Sequence, residues 1–289
     1  MSGDGPMKLM DRESGTLTLP NFLVIGAVRS GSTALASYLR KHPDVFMAER
    51  KEVEFFDVNF DKGVEWYGQW FEDASGAIAI GEASPSYMYD EEAPARIAEV
   101  VPSARLIAIL RNPVDRAYSH YWRVRSRGRE PLGFAEAIAA EPARLASGDP
   151  SIRRRASYLD RGRYAAQLER VCVQVPRDHV RVIILEELTA EPEPIYEDLC
   201  RFLEIDPAFR PANLGQPAGR HKSYRSKAVI RLHRRVPVRV ERAIRRLNER
   251  QAPYPPLDET SRRELMERFE PDNAAFESWL GREIPAWRT

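Results

Sequence analysis

Short runs of consecutive apolar residues interrupt a chain otherwise patterned at helical spacing. The clearest are 22–25 (Phe22-Leu23-Val24-Ile25), 106–110 and 181–185. Runs without polar alternation, rich in branched side chains, read as strands buried on both faces. Two weaker stretches, 45–47 and 78–85, read as further strands, the second running into a loop. Between them apolar residues recur three and four apart, first at Ala34, Leu35, Tyr38 and Leu39 and then within 63–71, 91–101, 134–147, 158–175 and 194–203. The same spacing returns at 237–250 and 258–280, with Thr260 or Ser261 as caps of the last helix. Strands alternating with helices predict a three-layer α/β sandwich. Its central sheet is parallel, its crossovers are right-handed, and the strands at 22–25 and 106–110 are neighbours. Residues 1–18 read as a flexible leader, and 19–289 as a single domain.

The connection after the first run carries the chemistry. Gly26-Ala27-Val28-Arg29-Ser30-Gly31-Ser32-Thr33 links a strand to a helix. Such a loop turns backbone N–H groups and a helix dipole toward one spot, which suits a phosphate. Its glycine spacing is half of the nucleotide-binding pattern G-x-x-x-x-G-K-[ST]. Ser32 replaces the lysine, and the cation is displaced to Arg29. A loop built this way holds a phosphate but is poorly made to activate a nucleoside triphosphate. The plain alternative is an ordinary strand-to-helix turn.

Composition narrows the setting. The 289 residues suffice for one sizeable core, and a net charge of +1 excludes a general polyelectrolyte. Two cysteines, Cys172 and Cys200, form neither a disulfide framework nor a metal-ligand spacing, so a cytoplasmic setting and no metal are expected. The start of the chain lacks an apolar signal region, and no run has the roughly 18 apolar residues of a membrane span. No membrane and no nucleic-acid partner is expected.

Three further stretches are candidates. Lys51-Glu52-Val53-Glu54-Phe55-Phe56-Asp57 interleaves acids with aromatics. If extended, it places Glu52 and Glu54 on one side, where a partly apolar pocket raises a carboxylate toward the range of a useful base. The alternative is a solvated turn with the two phenylalanines packed below. Arg111 follows the run at 106–110, Asn112-Pro113 opens a helix, and Ser119 lies about two turns along it. Ligands of open parallel sheets bind off the carboxyl ends of strands, so Arg111 and the Arg29 loop share a rim. Arg220-His221-Lys222 belongs to a basic loop suited to clamping an anion, and the arginines of 231–250 form a solvated basic helix face.

In order and spacing, these stretches resemble the sulfotransferases that use 3′-phosphoadenosine 5′-phosphosulfate. The similarity is to the branch of the heparan sulfate sulfotransferases and their bacterial relatives. It is strong over 21–122 and looser through Gly162-Arg163-Tyr164 and Leu185-Glu186-Glu187-Leu188 to Arg220. The resemblance implies a metal-independent, P-loop-like site. Ser30, Gly31, Ser32 and Thr33 would hold the 5′-phosphate, and Arg29 would stabilise the leaving phosphate oxygen. Arg111 and Ser119 would bind the 3′-phosphate, and Glu52 would be the general base. Tyr164 and the loop of Arg220, His221 and Lys222 would close over the nucleotide. The acceptor would be a glycan or small-molecule hydroxyl. The chain departs from the family pattern at Arg29, where lysine is common, and at Glu54, where heparan-type members often have histidine. The rivals are a nucleotide kinase with a degenerate loop and a non-catalytic polyanion-binding module using 231–250. The oligomeric state stays open.

Overall fold

The computed structural model describes residues 8–10, 16–216, 222–224, 249–251 and 254–288. Its centre is a five-stranded sheet of β3 (Phe22–Gly26), β4 (Val45–Met47), β5 (Ala79–Ala83), β6 (Arg105–Leu110) and β7 (Val180–Ile184). The order is β4-β5-β3-β6-β7, and every neighbouring pair is parallel. β3 lies between β5 and β6, so the expected adjacency of the first two apolar runs holds.

The unbroken apolar runs are explained by cover on both faces. Leu23, Ile25, Leu106, Ala108 and Leu110 face one core with α3 (Ala93–Val100), α8 (Tyr164–Gln174) and the aromatic cluster of Phe55, Phe56 and Tyr67. Phe22, Val24, Ile107 and Ile109 face the other, against α1 (Ser32–Leu39) and α10 (Pro192–Leu203). The layers are therefore helix, sheet, helix, as the alternation of patterns predicts.

Several boundaries differ from the sequence expectation. Within 1–18, read as a flexible leader, β1 (Lys8–Met10) and β2 (Thr16–Thr18) pair antiparallel. Leu17 packs against the first core, which anchors the segment. The helix expected over 134–147 is two short ones, α5 (Phe134–Ala139) and α6 (Glu141–Ala146), the second with proline in its first turn. The helix expected from 158 begins at Tyr164 after the 3₁₀ turn Asp160–Gly162. There Gly162 is pressed so close to Phe269 that a Cβ would lie 2.7 Å from that ring. The last described helix, Glu259–Leu280, is capped by Asp258 itself, whose Oδ1 accepts from the Ser261 N–H at 2.9 Å. The basic helix expected over 237–250 lies outside the described residues, except that Glu249–Gln251 is a strand paired with Lys222–Tyr224.

Candidate functional site

The site is built at the carboxyl ends of β3 and β6. After Gly26 the chain turns, and α1 begins at Ser32 with Gly31 as its N-cap. Both glycines of the spacing have a geometric reason. Gly31 has φ 98, and a Cβ on Gly26 would lie 2.8 Å from Met88 Sδ. A Cβ on Gly31 would also lie 2.8 Å from Leu185 Cδ1. Gly31→Ala is therefore expected to lower unfolding free energy by about 1–3 kcal/mol. The denaturant midpoint reads this, and an unchanged midpoint refutes the strain.

Helix geometry leaves the first-turn N–H groups of Ser32 and Thr33 without intrahelical acceptors. The Ser30 N–H, expected to join them, donates instead to the Ala27 carbonyl at 3.2 Å. Ser30 is wholly buried, with its hydroxyl beside that of Tyr164. Ser32 is buried and Thr33 exposed.

Arg29 occupies the middle of this loop in a left-handed conformation, φ 74, which costs a non-glycine residue roughly 1–2 kcal/mol. Its Nε donates to Ser119 Oγ at 3.1 Å, across 90 residues of sequence. Burial pushes the guanidinium pKa down to about 10. Arg123 and Arg111 act in the same direction, while Tyr254 and Glu52 oppose them. The structure thus gathers four residues singled out in the sequence, Arg29, Ser119, Arg111 and Glu52, around one cation-rich centre. Arg123, one turn beyond Ser119 on α4 (Pro113–Ser126), completes it.

The turn bearing Arg111 is held from several sides. Asn112 caps α4, its Oδ1 accepting from Val114 N at 3.0 Å. The Asn112 N–H donates to Glu186 Oε1 at 3.0 Å, and Trp287 Nε1 donates to Glu186 Oε2 at 3.1 Å. The Arg111 guanidinium lies 3.7 Å from Asp115, whose carboxylate also pairs with Arg262 at 2.5 Å. Tyr164, expected to close over a nucleotide, lies beneath this rim. Its hydroxyl donates to the Arg111 carbonyl at 2.8 Å, and its ring packs on Phe276 and Trp287. That bond holds the Arg111 backbone from below. Arg220 and His221 lie outside the described residues, and Lys222 opens a strand that runs beside α4.

The acidic segment is a turn with Phe55 and Phe56 buried beneath it, the alternative to an extended segment. Glu52 and Glu54 have φ 58 and 55, so the chain turns twice in the left-handed region around the buried Val53. The two carboxylates differ in commitment. Glu54 Oε1 pairs with Arg154 at 2.7 Å, and Arg154 also binds Asp57 at 3.1 Å. Burial raises the Glu54 pKa, with Arg154 opposing. Glu52 has only Lys51, at 3.6 Å, as an ion-pair partner among the described residues, and its side chain is 43% exposed. Of the two carboxylates it is the less committed.

Residues missed in the sequence include Arg123, Arg154 and the buried Glu82-Ser84-Tyr87 group under the acidic turn. A glutamate inside an apolar strand was the available signal for Glu82. Among the described residues no cluster of His, Cys, Asp or Glu is placed to hold a metal ion, and no helix is long and apolar enough to cross a membrane.

Comparison with known proteins agrees with this geometry. The family model described as "Sulfotransferase domain" matches residues 19–219. The human bifunctional heparan sulfate N-deacetylase/N-sulfotransferase 3 is 31% identical over 287 residues, covering 93% of this chain and 31% of that protein. The Dictyostelium discoideum membrane-associated sulfotransferase kil1 is 37% identical over 123 residues, 42% of this chain and 26% of that protein. The chain thus spans about a third or less of the length of these curated relatives. A crystal structure of a sulfotransferase from Alicyclobacillus acidocaldarius superposes with a TM-score of 0.74 at 27% identity, covering 94% of this chain and all of that one. With its parallel sheet, its glycine-bounded strand-to-helix loop and these relatives, the chain belongs to the sulfotransferase family.

Proposed function

We propose that this protein moves a sulfuryl group from 3′-phosphoadenosine 5′-phosphosulfate to an acceptor hydroxyl on a glycan or small molecule. The observation that carries the reading is the Arg29–Ser119 bond at the meeting of two anion-binding features. One is the first turn of α1; the other is the rim of Arg111, Ser119 and Arg123. A nucleotide with phosphates at both ends of its ribose fits such a pair. A guanidinium flanked by two other arginines favours a bound anion.

When bound, that nucleotide supplies the activated sulfuryl group. The chain's own residues do the rest. Ser32 and Thr33 amides and the α1 dipole hold the 5′-phosphate. Arg111 and Ser119 hold the 3′-phosphate. Arg29 stabilises charge that develops on the leaving phosphate oxygen. Glu52 takes the acceptor proton as the acceptor oxygen bonds to sulfur and the bond from sulfur to phosphate oxygen breaks.

Adenosine 3′,5′-bisphosphate is expected to raise the melting temperature without added metal, because a ligand of the native state stabilises by mass action. AMP should raise it less, since Arg111 and Ser119 then have no phosphate. Equal shifts would refute the 3′-phosphate assignment, and a shift by ATP only with Mg²⁺ would favour the kinase reading. Acceptor class is read by mass spectrometry with the sulfuryl donor and a panel. The panel holds a desulfated heparan oligosaccharide, p-nitrophenol, an aliphatic alcohol and, because of the N-sulfotransferase relatives, an amino sugar.

A further inference from the structure

Beneath the acidic turn lies a carboxylate that the proposed reaction does not use. Glu82, near the end of β5, is 1% exposed and sits among aromatic rings. Phe55 stacks on Tyr67 at 4.3 Å, and Phe56 meets Tyr87 edge-on at 5.4 Å. Among the described residues no lysine or arginine pairs with Glu82. The titratable groups facing it are Tyr67 and Tyr87, which bond to it, and Asp57, which carries the same charge. A lone buried carboxylate is an expensive structural element, which an apolar residue of similar size often replaces without loss.

Its bonds give it a task. Ser84 Oγ–H donates to Glu82 Oε2 at 2.8 Å, and Tyr87 O–H donates to Glu82 Oε1 at 2.6 Å. Each hydroxyl has one proton, and both are spent on the carboxylate. Each hydroxyl oxygen is then free only to accept. Ser84 Oγ accepts from the Glu54 N–H at 2.9 Å, and Tyr87 Oη accepts from the Phe55 N–H at 2.8 Å. From the other side, Asn59 Nδ2 donates to the carbonyls of Val53 and Glu54, both at 3.0 Å. The doubly left-handed turn that presents Glu52 is thus clamped at its N–H groups by two relays that end on one carboxylate.

We propose that Glu82 is the positioning residue for the catalytic base, orienting the Ser84 and Tyr87 hydroxyls so that they fix the turn at 52–55 and aim Glu52 at the acceptor. The inference rests on the reading of Glu52 as base. Glutamine at 82 offers one acceptor and one donor. One hydroxyl proton is then left without an acceptor, and one of the two relays loses its orientation. Protonation of Glu82 has a similar effect. Burial pushes its pKa up to about 7, with the Tyr87, Ser84 and Tyr67 hydroxyls opposing and Asp57 adding to the rise. The ionised form is the orienting one, so positioning is gained as pH rises through about 7.

The test compares wild type, Glu82→Gln, Glu52→Gln and the double variant, using the panel acceptor with the highest turnover. Glu82→Gln at pH 8 is expected to lower kcat about 10- to 100-fold, the scale of a misplaced catalytic group. The melting shift with adenosine 3′,5′-bisphosphate should be unchanged. Amide hydrogen exchange of Glu54 and Phe55 should quicken, while β6 stays protected. The limb of the pH–kcat profile near pH 7 should disappear. The double variant should lose no more than Glu52→Gln alone, because Glu82 acts through Glu52. Losses that multiply, unchanged exchange at 54–55, or a pH 7 limb that survives in Glu82→Gln would each overturn the proposal. Full turnover in Glu52→Gln would instead sink the assignment of the base, which keeps the two failures distinct. If Glu82→Gln does not fold, Ser84→Ala and Tyr87→Phe each remove one relay. Each should lower kcat several-fold, and unchanged kcat in both overturns the proposal.

Discussion

Glu52→Gln is expected to lower turnover about 100-fold or more while leaving adenosine 3′,5′-bisphosphate binding at its wild-type strength. An acceptor hydroxyl is a weak nucleophile at neutral pH, and removing its proton during attack is worth roughly 100- to 10,000-fold. Two glutamates compete for that task in the sequence, and the structure separates them. The Glu54 carboxylate is held by Arg154 at 2.7 Å, and that guanidinium is shared with Asp57. A carboxylate tied into such a network has fewer lone pairs to offer a substrate. Glu52 is more open and lies close enough to Arg29 to favour that cation's charged form. Glu54→Gln is expected to cost clearly less and to act mainly on the acceptor KM. Steady-state kinetics on both variants decides. Abolished turnover in Glu54→Gln with retained turnover in Glu52→Gln would move the base to Glu54.

The second large effect is expected at Arg29. Arg29→Met should lower kcat about 100- to 1,000-fold, the range seen when one preorganised donor to a developing negative charge is removed. The same change should raise the melting temperature of the ligand-free protein. Burial and the neighbouring Arg123 hold the Arg29 pKa near 10, below the ordinary guanidinium range, so the folded state disfavours its charge. The sign follows from linkage. A base with a lowered folded pKa penalises folding fully below that pKa, and the penalty fades only as pH rises above about 10. At pH 7–8 the whole cost is present, and methionine removes it. A stabilised but inactive variant is the expected pattern for a residue held in place for chemistry. Arg29→Lys keeps the charge but loses the Nε bond to Ser119, and should fall between. Scanning calorimetry paired with turnover checks both halves. A destabilised Arg29→Met with normal kcat would reverse the assignment.

Much of the scaffold was legible because it depends on local pattern. Phe22-Leu23-Val24-Ile25 and the run at 106–110 have no polar alternation, and only a strand covered on both faces satisfies that. The loop chemistry was equally local, since Gly26 and Gly31 bracket a turn whose backbone needs are written in their spacing. The pattern after Asn112-Pro113 placed Ser119 on a helix, and only the family resemblance singled it out as a site residue. What failed were properties set by distant partners. Nothing near Glu54 in sequence announces Arg154, 100 residues away, or the left-handed turns at Glu52 and Glu54. The burial of Tyr164 was hidden for the same reason, since its cover, Phe276 and Trp287, comes from the far end of the chain. Glu82 stood out only as one acid in an apolar strand, and its meaning appears once Ser84, Tyr87 and the turn at 52–55 are seen together.

The parallel pairing of β3 with β6 has a consequence for how such a site changes over time. The two turns proposed to hold the donor leave adjacent strands of one ladder, so a strand spacing of about 4.8 Å, fixed by backbone hydrogen bonds, sets their separation. No side-chain substitution readily alters that ruler. The turn bearing Glu52 lies several residues beyond the ladder of β4 with β5, and its own N–H and carbonyl groups are held by the Ser84 and Tyr87 hydroxyls and the Asn59 amide. On the proposed reading, donor recognition is thereby insulated, whereas the acceptor half can be re-aimed by single substitutions at its supports. A lineage built on this frame can trade one acceptor for another while keeping the same donor.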